Sequence, residues 1–306
     1  MRPPGARPRR RAVIAIASPG GLWKLPPPSL GRDVPRGRPT NSQEFPVSET
    51  SYVYQADDAE LVAWEANFTS RNGTGEGDSE ANFQSAVVMA AACKAGGRFL
   101  DVGSGHGRII GWLRPYAGTI TGLEPDVARF SSCENLFRND PDVEVLNITT
   151  GQLIEGRPTE RFDLITVSMV VQHVSTRTCR GIFRDVRNLL AENGVAVVST
   201  THFPYERFTY QMDPTAKDVE EFDLYADRSD NHHQGLPVRM FGRKSFEVAL
   251  EEAGLAIVGW QQFSYPRPER AEGLAGLYAI TPDELRDCGI SQFALVRLRG
   301  PVTRTV

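Results

Sequence analysis

The stretch Phe99-Leu-Asp-Val-Gly-Ser-Gly-His-Gly107 restricts the fold more than any other part of the chain. It opens inside a short apolar run, Arg98–Val102, which carries Asp101 just before its end. Glycines then follow at 103, 105 and 107. An apolar run breaking into alternate glycines reads as a buried strand that turns sharply, with backbone free to take positive φ and to approach a ligand closely. The expected helix beyond it, His106–Tyr116, begins with N–H groups that no helical carbonyl satisfies.

The next apolar run, Thr119–Leu123, ends at Glu124, about 17 residues after Gly107. An acid in that position can accept hydrogen bonds from both ribose hydroxyls of a nucleoside, as in dinucleotide sites. The pair of strand ends therefore points to an adenosine-like ligand. A dinucleotide fingerprint is GxGxxG, with a pyrophosphate on the helix start. Here the spacing is GxGxG, and Asp101 would repel a pyrophosphate while suiting a ligand with a cationic amino group. The pattern favours S-adenosylmethionine over NAD.

Strands and helices alternate after this point. Thr119–Leu123 is followed by a helix over Asp126–Asn139, then a strand over Val143–Ile148. Phe162–Met169 is a strongly apolar strand, Thr178–Ala191 an amphipathic helix, and Val195–Thr200 a buried strand. Strands that are apolar on both faces require helices on both faces, and the alternation predicts a doubly wound α/β sheet. Upstream, helices are expected over Asp57–Phe68 and Glu80–Cys93. Downstream, Ser245–Ala253 reads as a helix ended by Gly254, with strands over Ala256–Phe263 and Gln292–Leu298. Residues 201–239 and 264–290 read as insertions, the second with a helical stretch over Pro282–Cys288.

Residues 98–130 resemble the first two motifs of the class I, Rossmann-like S-adenosylmethionine-dependent methyltransferases. The likeness covers roughly residues 80–200 and, more loosely, 240–298. FDLITVSMVVQHV (162–174) resembles that family's fourth strand and the segment after it. NLLAENGVAVVST (188–200) resembles its turn and fifth strand, with Glu192 and Asn193 in place of Pro and Gly. The resemblance implies a seven-stranded, mostly parallel sheet whose last strand is antiparallel, helices on both faces, and an insertion after strand five. It implies S-adenosylmethionine as cofactor. Asp101, Gly103, Ser104, Gly105 and Gly107 would form the amino-acid pocket, Glu124 and Pro125 would hold the ribose side, and Ser168 and Met169 would lie beside the methionine. The family often has an acid after strand three against the adenine amine. The equivalent here is Asn147-Ile-Thr-Thr-Gly151, so Thr149 or Thr150 would have to substitute.

Methyl transfer from a sulfonium is an in-line displacement that depends chiefly on placing the nucleophile. A base helps when the acceptor is a hydroxyl or a protonated amine. His173, after strand four, and His202, after strand five, are the candidate bases, because imidazole titrates near neutrality. The acidic run Asp218–Asp227, if it lines the pocket, favours a cationic acceptor. Tyr205, Phe208, Tyr210, Phe222 and Tyr225 are candidates for a lid or for the core of the insertion. Tyr52, Tyr54 and Trp64 are candidate caps on the cofactor.

Several classes are set aside. The net charge of −4 gives no basic stripe for nucleic acid, and no Asn/Asp-Pro-Pro-aromatic motif follows strand four. No metal is expected: the four cysteines form no CxxC pair, and His232 and His233 lack a third ligand. No apolar run is long enough to span a membrane. The stretch AVIAIA (12–17) is too short for a secretory core, so a cytoplasmic location is expected. Residues 1–46 hold ten of the 21 prolines and no apolar period, so residues 1–50 are expected to be disordered, with the methyltransferase domain over 51–306. The expected function is methyl transfer to an N or O atom of a small-molecule acceptor, in specialised metabolism. The alternatives are a methyltransferase-like cyclase or non-enzymatic cofactor binder, and an NAD-dependent oxidoreductase.

Overall fold

A computed structural model of the chain describes residues 78–228, 234–263, 272–273, 275–276, 278–288 and 291–300. The helix expected over Asp57–Phe68, the disordered segment expected over 1–50, Tyr52, Tyr54, Trp64, His232 and His233 lie outside the described residues.

Seven strands form one sheet: β1 (Arg98–Val102), β2 (Thr119–Leu123), β3 (Val143–Leu146), β4 (Phe162–Ser168), β5 (Leu190–Thr201), β8 (Leu255–Phe263) and β9 (Ser291–Leu298). Their order is β3-β2-β1-β4-β5-β9-β8. The neighbours from β3 through to β5 pair in parallel, and β9 runs antiparallel to both β5 and β8. This is the expected sheet, with the last strand in sequence reversed. Its order switches direction between β1 and β4, and ligands of open α/β sheets sit in such a crevice at the carboxyl ends.

The two-residue period of the strands builds the two layers. Phe99 and Leu164 point to one face, with Phe83 and Val87 of α1 (Asp78–Cys93) and Ile110 and Leu113 of α2 (Arg108–Leu113). Leu100, Val102, Ile165 and Val167 point to the other, with Phe183 and Val186 of α5 (Thr176–Leu189) and Phe246 and Leu250 of α7 (Arg243–Glu252). That is why these strands carry apolar residues on both faces: successive side chains meet helices on opposite sides of the sheet. Two further helices complete the βα units, α3 (Val127–Phe137) and α4 (Thr150–Gly156).

The insertion after β5 is more ordered than its sequence suggests. It forms an antiparallel pair, β6 (Arg207–Tyr210) with β7 (Pro237–Met240), and a helix, α6 (Val219–Ala226). Four-residue strands carrying charges give no readable period, so the sequence could not announce them. Tyr210, Phe222, Tyr225 and Ala226 form one small core. Phe203 and Met240 form another with Ala275 and with Leu285 of α8 (Pro282–Cys288), so the two insertions pack together.

Two carboxylates of the acidic run cap helices. Asp218 caps α6, accepting from Glu221 N at 2.8 Å. Asp223 accepts from the backbone N of Thr176, the first residue of α5, at 2.7 Å, and also from its hydroxyl. A carboxylate there meets the positive end of the helix. Asp223→Ala is expected to cost about 1–2 kcal/mol of stability, the range of a lost cap, read by urea denaturation. No helix among the described residues is long and apolar enough to cross a membrane.

Candidate functional site

The turn leaving β1 is tied to β2. Gly103 N and Ser104 N both donate to Leu123 O, at 2.8 and 2.9 Å, and Gly107 N donates to Ser104 O at 2.8 Å. Gly103, Gly105 and Gly107 all take left-handed φ, at 68°, 53° and 90°. Their surroundings differ. A Cβ on Gly103 would lie 2.4 Å from Val170 Cγ2, and one on Gly107 would lie 2.5 Å from the Phe137 ring. A Cβ on Gly105 would meet nothing within 4 Å. Two of the glycines are therefore required by packing, while the middle one faces open space.

Glu124 is 5% exposed and braces this turn. One carboxylate oxygen accepts from Gly105 N at 2.8 Å, the other from Asp126 N at 3.0 Å. Burial raises its pKa, and the two backbone amides hold it down. Asn147 Nδ2 donates to the carbonyls of Glu124 and Pro125, at 2.8 and 3.0 Å, which fixes the segment beyond β2.

Asp101 is 1% exposed. Its Oδ1 accepts from the Thr166 hydroxyl of β4 at 2.7 Å. Its Oδ2 has no hydrogen-bond partner among the described residues. Burial pushes this carboxyl up to about 7, against the Thr166 hydrogen bond and the charge of Arg108, with Glu124 adding to the rise. A buried acid with one oxygen unsatisfied is costly unless something completes it.

Beyond β4, Ser168 accepts from the Ser199 hydroxyl at 3.1 Å. Met169 is exposed and left-handed at φ 54°, a strained state for a non-glycine residue. A short 3-10 turn, Val171–His173, follows. His173 Nδ1 lies 2.8 Å from the carbonyl of Pro237 in the insertion. His202 is buried at the end of β5, edge-on to Trp260 with ring centroids 5.7 Å apart. Thr149 caps α4 in a capping box with Gln152. The buried Thr150 hydroxyl donates to Asp185 at 2.6 Å.

Asp101, the glycine turn, Glu124, Ser168 and Met169 thus belong to the carboxyl ends of β1, β2 and β4. The Thr150 hydroxyl bonds to Asp185 of α5, and His202 lies against Trp260 of β8. Sequence reading missed Val170, whose side chain fits over Gly103, and Gln172. Gln172 is 0% exposed; its Oε1 accepts from the Thr200 hydroxyl at 3.3 Å. Its Nε2 has no hydrogen-bond partner among the described residues. The available signal was an amide in an otherwise apolar run, two residues before Val174 in VVQHV.

A family model described as a methyltransferase domain matches residues 79–259. That span is more than half of the chain. This chain belongs to the class I S-adenosylmethionine-dependent methyltransferases. Solved structures share the fold of these enzymes with it. The 1,6-didemethyltoxoflavin-N1-methyltransferase of Burkholderia thailandensis is 14% identical, with a TM-score of 0.51 over 81% of this chain and 91% of that one. An S-adenosylmethionine-dependent methyltransferase from Clostridium acetobutylicum is 15% identical, with a TM-score of 0.52 over 79% and 99%. The [4+2]-cyclase SpnF is 17% identical, with a TM-score of 0.52 over 78% and 93%. No curated protein matches the chain. Among the described residues no group of three His, Cys, Asp or Glu side chains could hold a metal ion.

The methyltransferase cofactor, S-adenosylmethionine, fits the residues present. It carries a cationic ammonium, and Asp101 offers a buried carboxylate oxygen that no described group satisfies. It needs backbone that can be approached closely, and the space over Gly105 is open.

Proposed function

We propose that this methyltransferase moves the methyl group of S-adenosylmethionine to an N or O atom of a small-molecule acceptor. The observation that carries the reading is Asp101: a buried carboxylate with an unsatisfied oxygen, at the end of the central strand, beside a glycine that faces open space. The cofactor supplies an electrophilic methyl on a sulfonium. The protein's part is to bind, orient and exclude water.

In this reading Asp101 takes the ammonium, with Gly103, Ser104, Gly105 and Gly107 forming the cradle. Glu124 receives the ribose hydroxyls through the lone pairs not used by its two backbone amides, and Pro125 borders the nucleoside. Ser168 and Met169 line the methionine side. Thr149 or Thr150 makes the contact beyond β3; the Thr150 hydroxyl is also held by Asp185, and that of Thr149 by Gln152. His173 and His202 are the candidate bases for the acceptor's proton; His202 also lies edge-on to Trp260 of β8. Asp218 and Asp223 of the acidic run cap helices, which weakens the case for a cationic acceptor. The fold shared with small-molecule methyltransferases, and the two insertions packed together beyond the carboxyl ends, support a small acceptor over a macromolecular surface.

Calorimetric titration with S-adenosylhomocysteine and with NAD is the direct test. Binding of the first with micromolar affinity and none of the second is expected, and the reverse would sink the proposal. Turnover of methyl-labelled S-adenosylmethionine with panels of amines, phenols and carboxylic acids then separates a methyltransferase from a cyclase of the same fold.

A further inference from the structure

The edge of the sheet opposite the glycine turn carries a cationic groove. Arg161 directly precedes β4, Leu190 opens β5, and Gly254 directly precedes β8. Strand β9 runs the other way, so its last residue, Leu298, and Arg299 beyond it come to the same edge. With Arg187, in the last turn of α5, these residues line a space of about 280 Å³. The carboxyl ends of β1, β2 and β4, assigned above to the cofactor, lie at the other edge.

No carboxylate pairs with any of the three arginines among the described residues, and none lines the groove. Arg161 Nη1 folds back on its own loop, donating to the carbonyls of Pro158 and Glu160 at 2.9 and 2.6 Å. Arg187 Nη1 donates to Asn188 Oδ1 at 3.1 Å. A Cβ on Gly254 would lie 3.1 Å from Arg187 Nε, so that side chain rests where only glycine leaves room. Arg299 is tied by its backbone, whose N donates to Gly254 O at 2.9 Å. The acids adjoining these positions are engaged elsewhere. Glu160 pairs with Arg98 and Arg157, and Glu252 with Arg180. Asp163 accepts from Arg98 N, and Asp185 from the Thr150 hydroxyl.

Charge counting sets the class of ligand. The carboxyl end of a helix carries roughly half a negative charge, which suits Arg187 but cannot offset three cations. An excess of about two positive charges is left in a space less than about 10 Å across, one Debye length at 0.1 M salt, so the guanidiniums repel one another with little screening. A dianion relieves that repulsion. A phosphate monoester carries close to two negative charges at neutral pH, and a planar guanidinium fork matches its oxygens in pairs. Leu190 is buried and Leu298 half-buried, and together they give the groove an apolar wall for an organic group.

We propose that this groove binds a small organic phosphate monoester, at the edge of the sheet away from the cofactor. The assignment does not rest on the function proposed above.

The test is calorimetric titration of the full-length protein with phenyl phosphate at low ionic strength, beside inorganic phosphate at the same pH and salt. Phenyl phosphate is expected to bind with a Kd of about a millimolar or below. It should bind several-fold tighter than inorganic phosphate, because only the ester buries apolar surface on the leucines, and its affinity should fall as sodium chloride is raised. Arg187→Gln and Arg299→Gln each remove one exposed cation and should fold, as circular dichroism will show. Each should weaken phenyl phosphate roughly 10-fold, the low end of what a charge-assisted hydrogen bond supplies, and leave the affinity for S-adenosylhomocysteine unchanged. Absent heat with phenyl phosphate, or the parent's affinity in both folded variants, overturns the proposal. Equal affinity for the ester and the inorganic ion overturns the assignment of an organic ligand. Absent heat with S-adenosylhomocysteine alone would count against the methyltransferase reading and not against this site.

Discussion

Asparagine in place of Asp101 is expected to stabilise the ligand-free protein at pH 8 and to remove most of its affinity for S-adenosylmethionine. The substitution keeps the shape and leaves one oxygen to accept from Thr166, while the new amide occupies the position of the unsatisfied Oδ2. The folded carboxyl titrates at about 7 against an ordinary 3.8. The sign follows from proton counting. Between these two pH values the folded state holds a proton that the unfolded state has lost, so stability from this group is complete below pH 3.8 and falls as pH rises through about 7. At about 1.36 kcal/mol per pKa unit, the loss is about 4 kcal/mol. An amide does not titrate, so Asp101→Asn should match the parent near pH 4 and exceed it most above pH 7.

Binding runs the other way. A ligand ammonium favours the carboxylate, so affinity should climb with pH up to about 7 and each binding event below it should release a proton. Loss of a charge-assisted hydrogen bond is worth about 1.5–3 kcal/mol, or roughly a 10- to 150-fold weakening. Urea denaturation across pH, with calorimetry in buffers of different ionisation enthalpy, reads both halves. A variant less stable than the parent at pH 8, or one that binds as tightly, would show that Asp101 serves the fold and not the ligand.

The glycine turn gives the second large contrast. Gly105→Ala should fold, because its Cβ meets nothing, at the cost of about 1–2 kcal/mol for a left-handed alanine. The added methyl projects into the space assigned to the cofactor, so binding should weaken roughly 10- to 100-fold, the scale of overpacking a tight site. Gly103→Ala should instead lose stability, since its Cβ falls 2.4 Å from Val170 Cγ2. Val170→Ala should recover part of that stability and none of the affinity lost through Gly105→Ala. Thermal denaturation and S-adenosylhomocysteine titration on the four proteins check the pattern. Rescue of Gly105→Ala by Val170→Ala would refute the assignment of the open space to the ligand.

Gln172 and Val170 illustrate what sequence reading could not supply. Both sit in a run that reads simply as apolar continuation of β4, yet one packs on a glycine of the neighbouring turn and the other places an amide in the core beside β5. The aromatics of the insertion show the same limit. Tyr210, Phe222 and Tyr225 pack as core while Tyr205 is 49% exposed, a division that no spacing within residues 201–239 predicts.

The strands of the main sheet, the glycine turn, Asp101 and Glu124 were written in local sequence, because each is fixed by side-chain period or by backbone freedom over a few consecutive residues. The reversed last strand was legible only through the family likeness that those motifs carry. The unsatisfied oxygen of Asp101, the contrast between Gly103 and Gly105, the capping use of Asp223 and the hold of Pro237 on His173 were decided only by the tertiary structure. They join atoms up to 67 residues apart in sequence, such as Gly103 and Val170, and distances across such gaps are set by how the layers pack, which no local pattern encodes.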